Sequence, residues 1–236
     1  MKPPADSVPP SPTWQRGNIT LYCGDALQIV PRLSGITAII SDPPYGMNWD
    51  TNNRRFSGGA TPRKPTHSRG KAWSSRIAGD NTPFDPSPWL EYPKVVLFGA
   101  NHFGQRLPVG TTLVWIKRND TAFGTFLSDA EIAWMKGGHG VYCKRDVAMN
   151  GGGANFEKIH PTQKTVKIMA WCLDRAKVTT DDTVCDPYMG SGTTALACIR
   201  RGISFIGCEI NPTYFAAAQD RIARELAQLD LFLPAA

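Results

Sequence analysis

Asp186-Pro187-Tyr188-Met189-Gly190-Ser191-Gly192-Thr193-Thr194 is the stretch that decides the architecture. It follows Thr183-Val184-Cys185, a short apolar and β-branched run, and leads into a helical pattern from Thr193 to Arg200. A strand that turns through glycines into a helix brings free N–H groups to the helix N-terminus and lets a ligand approach the backbone closely. It is not a phosphate loop, because no Gly-Lys-Ser/Thr follows, and it lacks the Gly-x-Gly-x-x-Gly spacing of dinucleotide folds. Ser204 to Cys208 reads as the next strand and ends at Glu209. In doubly wound sheets an acid at that place accepts hydrogen bonds from ribose hydroxyls. A lone Gly-x-Gly would mean only a tight turn. Together with Glu209 it predicts a site for a nucleoside cofactor.

Working outward, strand and helix patterns alternate. Ile19–Tyr22, Ile36–Ile40, Lys94–Phe98, Thr111–Lys117 and Glu131–Lys136 read as strands. Ala26–Leu33 reads as a short helix and Asn101–Leu107 as a helical turn. Pro161 opens a helix to about Ala176, with Val166, Met169, Ala170 and Leu173 on one face. Pro212 suits the first turn of a last helix carrying Phe215, Ala218, Ile222 and Leu226. Gly137–Glu157 is rich in glycine and reads as irregular. The alternation predicts an α/β sheet covered on both faces.

The 236 residues suit one domain, expected over 18–236, after a proline-rich flexible arm over 1–17. The arm has no apolar core segment and is not read as a secretory leader. No apolar run is long enough for a membrane span. The 6 Cys stand singly, without Cys-x-x-Cys spacing, which predicts buried free thiols in a reducing cytosol rather than a metal centre or a disulfide framework. Lys and Arg number 26 against 20 Asp and Glu, a net charge of +6. Its placement is more informative than its size. Thr51–Gly79 contains no acid, yet holds Arg54, Arg55, Arg63, Lys64, Arg69, Lys71 and Arg76. A long cationic stretch without apolar period is either a solvated insertion or a loop that follows phosphates.

These motifs resemble those of the amino-group DNA methyltransferases that use S-adenosylmethionine. Asp186 to Thr194 is similar to the family's cofactor motif, Asp42-Pro43-Pro44-Tyr45 to its catalytic motif, and His160-Pro-Thr-Gln-Lys164 to the motif that opens the helix before the cofactor loop. Gly24-Asp25-Ala-Leu resembles the short motif ahead of the catalytic strand, and Thr112–Lys117 and Glu131–Lys136 resemble later strands. Catalytic motif first and cofactor motif last is the order of the beta group. The resemblance implies a Rossmann-like α/β methyltransferase fold, with a seven-stranded, mainly parallel sheet, one antiparallel strand and helices on both faces. It implies recognition segments inserted at about 47–90 and 137–159.

By the same resemblance Asp42, Pro43, Pro44 and Tyr45 are catalytic. Asp25, Asp42, His160, Thr162, Gln163, Lys164, Asp186, Tyr188, Gly190, Ser191, Gly192, Thr193, Thr194, Glu209 and Asn211 bind S-adenosylmethionine. Lys164 is expected to pair with the cofactor's methionine carboxylate. Tyr188 stands where Phe is commoner, and Thr165 where a Pro usually follows the Lys. The seven cations of Thr51–Gly79, with Lys144 and Arg145, are the expected contacts to double-stranded DNA.

The chemistry explains the catalytic motif. An exocyclic amine is a poor nucleophile because its lone pair is delocalised into the ring. Acceptors on both amine hydrogens favour a pyramidal nitrogen. The Asp42 carboxylate and the Pro43 carbonyl supply them, and the prolines fix the turn. No metal is required. Asp at the first motif position mostly accompanies adenine in the family, and Ser cytosine, which points to N6, with N4 of cytosine as the alternative. An Asn-Pro-Pro-Tyr type methylase of RNA or protein glutamine is weaker. A catalytically silent DNA-binding module is the reading from another class. A cytoplasmic homodimer of bacterial or phage origin is expected, in a restriction-modification pair or as an orphan methylase.

Overall fold

A computed structural model describes residues 9–48, 77–125, 128–147, 160 and 162–230. Its strands are β1 (Trp14–Arg16), β2 (Ile19–Cys23), β3 (Ala38–Ser41), β4 (Lys94–Phe98), β5 (Gly110–Ile116), β6 (Ala130–Arg145), β7 (Thr183–Asp186) and β8 (Ser204–Glu209). Its α-helices are α1 (Ala26–Ile29), α2 (Ser87–Leu90), α3 (Ala100–Phe103), α4 (Val166–Arg175), α5 (Thr193–Ile199) and α6 (Pro212–Asp230). One sheet takes all the strands in the order β1-β2-β8-β7-β3-β4-β6-β5. The expected α/β architecture is present, with eight strands rather than seven. The addition is β1, which pairs antiparallel with β2 along the sheet edge. It lies within the stretch read as a flexible arm; Trp14 packs against the main core, which ties Trp14–Arg16 to the sheet, while residues 1–8 lie outside the described residues.

The period-two alternation of the strands builds two cores. Ala38, Ile40, Val96 and Phe98 face α4, α5 and α6, where Met169, Ala195, Phe215 and Ile222 are buried with them. Ile39, Val95 and Leu97 face the other way, onto Ala26, Trp89, Ala100 and Phe103. Cys172, Cys185, Cys198 and Cys208 are buried as free thiols. Among the described residues no helix is long and apolar enough to cross a membrane.

β6 departs most from expectation. Its first half pairs antiparallel with β4, through Val96–Met135 and Phe98–Ala133. The same half descends along β5, from Ile116–Ala130 to Thr111–Met135. Gly137 and Gly138 then take φ of +82° and +67°, a bend that side-chain-bearing residues resist. Residues 141–145 return along the opposite edge of β5, pairing Thr112 with Val141 and Ile116 with Arg145. The stretch read as irregular is therefore strand up to Arg145; residues 148–159 lie outside the described residues. The helix expected from Pro161 begins only at Val166, because the Thr165 hydroxyl caps it by accepting from the Ile168 N–H.

Parallel β7 and β3 lie side by side, and the chain leaves them in opposite directions across the sheet, β7 toward β8 and β3 toward β4. Such a switch point leaves a crevice at the strands' carboxyl ends. Here those ends are Asp186 and Ser41-Asp42.

Candidate active site

A cleft of about 1010 Å³ opens at this switch point. At one end it is lined by Gly24, Asp25, Leu27, Tyr188, Gly190, Glu209, Ile210 and Asn211. Glu209 is buried, and each of its oxygens accepts a backbone N–H, Oε2 from Gly190 at 3.0 Å and Oε1 from Asn211 at 2.8 Å. Burial raises its pKa, and these donors oppose the rise. Ile210 supplies a further backbone donor, and the carboxylate borders the cleft. Asp25 caps α1 by accepting from the Leu27 N–H at 2.9 Å. Leu27 and Ile210 are both about half exposed, and both line the cleft. They are apolar walls; Leu27 closes the Gly24-Asp25-Ala-Leu motif, whereas no motif indicated Ile210.

Tyr188 packs edge-on against Phe84 and Trp89. Burial pushes its hydroxyl up to about 12. His160 stands edge-on against Tyr214, with ring centroids 4.6 Å apart, and shares its Nδ1 with the Thr162 hydroxyl. Of the expected cofactor residues, Asp186, Ser191, Gly192, Thr193 and Thr194 do not line the cleft. Asp186 is buried behind it and accepts from the hydroxyls of Ser41 at 2.5 Å and Thr194 at 2.6 Å. Burial brings its carboxyl up to about 6. Ser41 thus ties the end of β3 to the start of the glycine loop. Arg221 of α6 donates to the Ser191 carbonyl and the Thr193 hydroxyl, which holds the loop from the far side.

At the other end stand Asp42, Pro43, Pro44 and Tyr45. The Tyr45 hydroxyl donates to Asp42 Oδ1. The Tyr45 ring stacks on His102 of α3, centroids 4.9 Å apart and planes 12° from parallel. Buried Asp80 accepts from the N–H groups of Gly46 and Met47, so a residue distant in sequence pins the turn. Lys164 Nζ lies 2.5 Å from Asp42 Oδ2 and 3.0 Å from Glu131 Oε2. Lys117 Nζ in turn lies 2.8 Å from Glu131 Oε1. The ammonium expected at a cofactor carboxylate therefore sits between two carboxylates of the chain itself.

The charges of this row set its protonation. Burial alone would push Glu131 up, but Lys164 and Lys117 outweigh it and bring the carboxyl down to about 2. Burial raises Asp42 above the usual carboxylate range, with Lys164 opposing. Lys164 is held well above an ordinary lysine, because Asp42 and Glu131 outweigh its desolvation. A depressed carboxyl stabilises the fold above its unfolded value of about 4.5, and that contribution is lost as pH falls toward about 2. Glu131→Gln is therefore expected to be less stable than the wild type at neutral pH, with the gap closing across that window. Urea midpoints measured from pH 6 downward test it, and a gap independent of pH would refute the ion-pair account.

The expected DNA contacts Arg54, Arg55, Arg63, Lys64, Arg69, Lys71 and Arg76 lie outside the described residues. Lys144 and Arg145 lie on the outer half of β6, away from the cleft; Arg145 pairs with Asp120 at 2.7 Å. Lys117 and Arg118, which were not singled out, line the cleft.

Residues 114–220 match the family model described as DNA methylase. The resemblance is to the DNA methylases. Over 85 residues the chain is 33% identical to the Type II methyltransferase M.XycI of Xanthomonas campestris pv. cyanopsidis. That match covers 36% of this chain and only 28% of the relative. The solved complex of M1.HpyAVI with SAM superimposes with a TM-score of 0.52 at 20% identity, over 86% of this chain and 98% of that one. The cytosine-N4-specific PvuII DNA methyltransferase superimposes with a TM-score of 0.56 at 14% identity, over 92% and 94%. At such identities the superpositions establish a common fold, and the match to DNA methylases rests on sequence.

Proposed function

We propose that this methylase-like chain transfers a methyl group from S-adenosylmethionine to N6 of an adenine flipped out of duplex DNA. The observation that carries the reading is the cleft itself. Asp42 and Tyr45 stand at one end, and Glu209, Asp25 and Gly190 at the other. The groups at the second end fit a nucleoside: a carboxylate that can accept from ribose hydroxyls, an acid at a helix cap, and apolar side chains for a base. Glu209, Asp25, Tyr188 and Asn211 would hold it. When bound, S-adenosylmethionine supplies an electrophilic methyl on a sulfonium.

The chain's own residues do the rest. The Asp42 carboxylate and the Pro43 carbonyl accept the two amine hydrogens and turn the lone pair outward. Tyr45 offers a ring for stacking, worth ~1–3 kcal/mol per base. That offsets part of the few kcal/mol needed to unstack the target. Attack in line with the sulfonium then depends mainly on placement. N4 of cytosine is the second reading, favoured by the likeness to a cytosine-N4-specific enzyme. Mapping modified bases in unmethylated DNA exposed to the protein decides between them. Methyl groups on N6 of adenine are expected; N4-methylcytosine would replace the first reading with the second, and cofactor binding without any transfer would favour a silent binding module.

The proposal includes duplex DNA as partner and a homodimer on a short site, the latter decided by sizing the protein with and without DNA. Replacing Arg54 and Arg55 by alanine is expected to weaken DNA binding about tenfold or more and to reduce the slope of log K against log salt by about one to two. Cofactor affinity should stay unchanged. An equal loss of cofactor binding would mean that the segment supports folding instead.

A further inference from the structure

Lys164 reaches Asp42 from the segment leading into α4, and its side chain is only 5% exposed. Its ammonium lies over the Phe98 ring, 5.1 Å from the centroid. Lys117, Glu131, Lys164 and Asp42 form a row of alternating charge drawn from just past β5, from β6, from the segment before α4 and from just past β3. An ammonium buried this far is screened much less by salt than a surface one, and it stays with its carboxylates. Glu131 and Tyr45 limit how Lys164 and Asp42 can rotate, since each Asp42 oxygen already accepts one donor. Each keeps one lone pair for a substrate amine.

We propose that Lys164, locked by Glu131, is a positioning residue that keeps Asp42 an ionised carboxylate aimed at the substrate amine, rather than a ligand of the cofactor. This rests on the amino-methyl-transfer reading. A protonated Asp42 would offer one acceptor fewer, and a freely rotating one would lose its aim. The groups that bear on Asp42 are Tyr45 from its own turn, Lys164, Glu131 from β6 with Lys117 behind it, and Asp186 from β7. His102 of α3 meets it only through Tyr45. Removing Lys164 leaves Asp42 among anions and apolar surface, so its proton affinity rises. Removing the charge of Glu131 has the opposite sign.

The test follows the Asp42 carboxyl by infrared or carbon-13 spectroscopy of the cofactor-free protein, with Asp42→Asn to assign the signal. In Lys164→Met its titration midpoint is expected to rise by at least about one pH unit; in Glu131→Gln it should fall. The acid limb of single-turnover transfer should move with it: in Lys164→Met transfer should fall about tenfold for each pH unit the midpoint rises, at pH values below both midpoints, and recover at higher pH. Lys164→Arg should restore most of the rate, while cofactor Kd changes less than about threefold in each variant. Unmoved midpoints would overturn the proposal. So would a tenfold or greater loss of cofactor affinity with an unmoved pH profile, which would return Lys164 to the cofactor. The titration is read without cofactor or DNA. It therefore decides the role of Lys164 even if the wild type transfers nothing, an outcome that sinks the transfer reading instead.

Discussion

Asp42→Ala is expected to lower methyl transfer by at least about 10³-fold while cofactor affinity holds within a few-fold. In the proposed reaction the alanine removes one of the two acceptors for the amine hydrogens, and it also releases Tyr45, whose hydroxyl has Asp42 as its acceptor. A single group that stabilises developing charge is worth about 10²–10³ in rate, and the second effect adds to it. The fold should survive. Lys164 keeps Glu131 at 3.0 Å, so the substitution does not strand a buried ammonium. The expected cost is about 1–3 kcal/mol, that of a lost charged hydrogen bond, rather than that of an unpaired charge. Single-turnover transfer of labelled methyl groups, cofactor titration and denaturant unfolding measure the three quantities. Activity within tenfold of the wild type would remove Asp42 from the reaction.

Gly99→Ala should be nearly as damaging, although Gly99 carries no reactive group. Its φ is +76°, and a Cβ there would come within 2.0 Å of Tyr45 Cε1. The Tyr45 ring is held by Asp42 and by the stack on His102, so it cannot withdraw without breaking both. Left-handed backbone alone costs about 1–2 kcal/mol for a side-chain-bearing residue. With the clash the expected loss is about 2–4 kcal/mol, and transfer should fall at least about 10²-fold because the motif's turn is displaced. Gly35→Ala separates the two effects. Gly35 has φ of +79° but nothing within 4 Å of the added carbon, so it should show the backbone cost and an unchanged rate. If the two variants behave alike, packing of Gly99 against Tyr45 is not what shapes the site.

The parts of this protein that were legible from sequence are those whose chemistry is local. A strand ending in Asp-Pro-Pro-Tyr, and another that turns through Gly-Ser-Gly into a helix, declare themselves within ten residues. Their setting in an α/β sheet follows from the period of the apolar residues between them. The same locality misled at the edges. Glycines at 137 and 138 suggested an irregular loop, yet they form the bend of a continued strand, because β5 offers a free edge on which residues 141–145 complete their hydrogen bonds. Ser191, Thr193 and Thr194, grouped with the cofactor by motif, turn inward to build the loop from behind.

Sequence alone determined which groups are available for the proposed chemistry: the Asp42 carboxylate, its prolines and tyrosine, and the glycine loop with Glu209. Only the tertiary structure decided what those groups face. Asp42 and Lys164 are 122 positions apart. Glu131 joins them because β6 enters antiparallel beside β4, which brings the beginning of β6 to the carboxyl edge where β3 ends. Asp80 and His102 reach the same turn from two other segments. A buried charge takes as partner whatever opposite charge the folded backbone places beside it, and the spacing along the chain does not encode that choice.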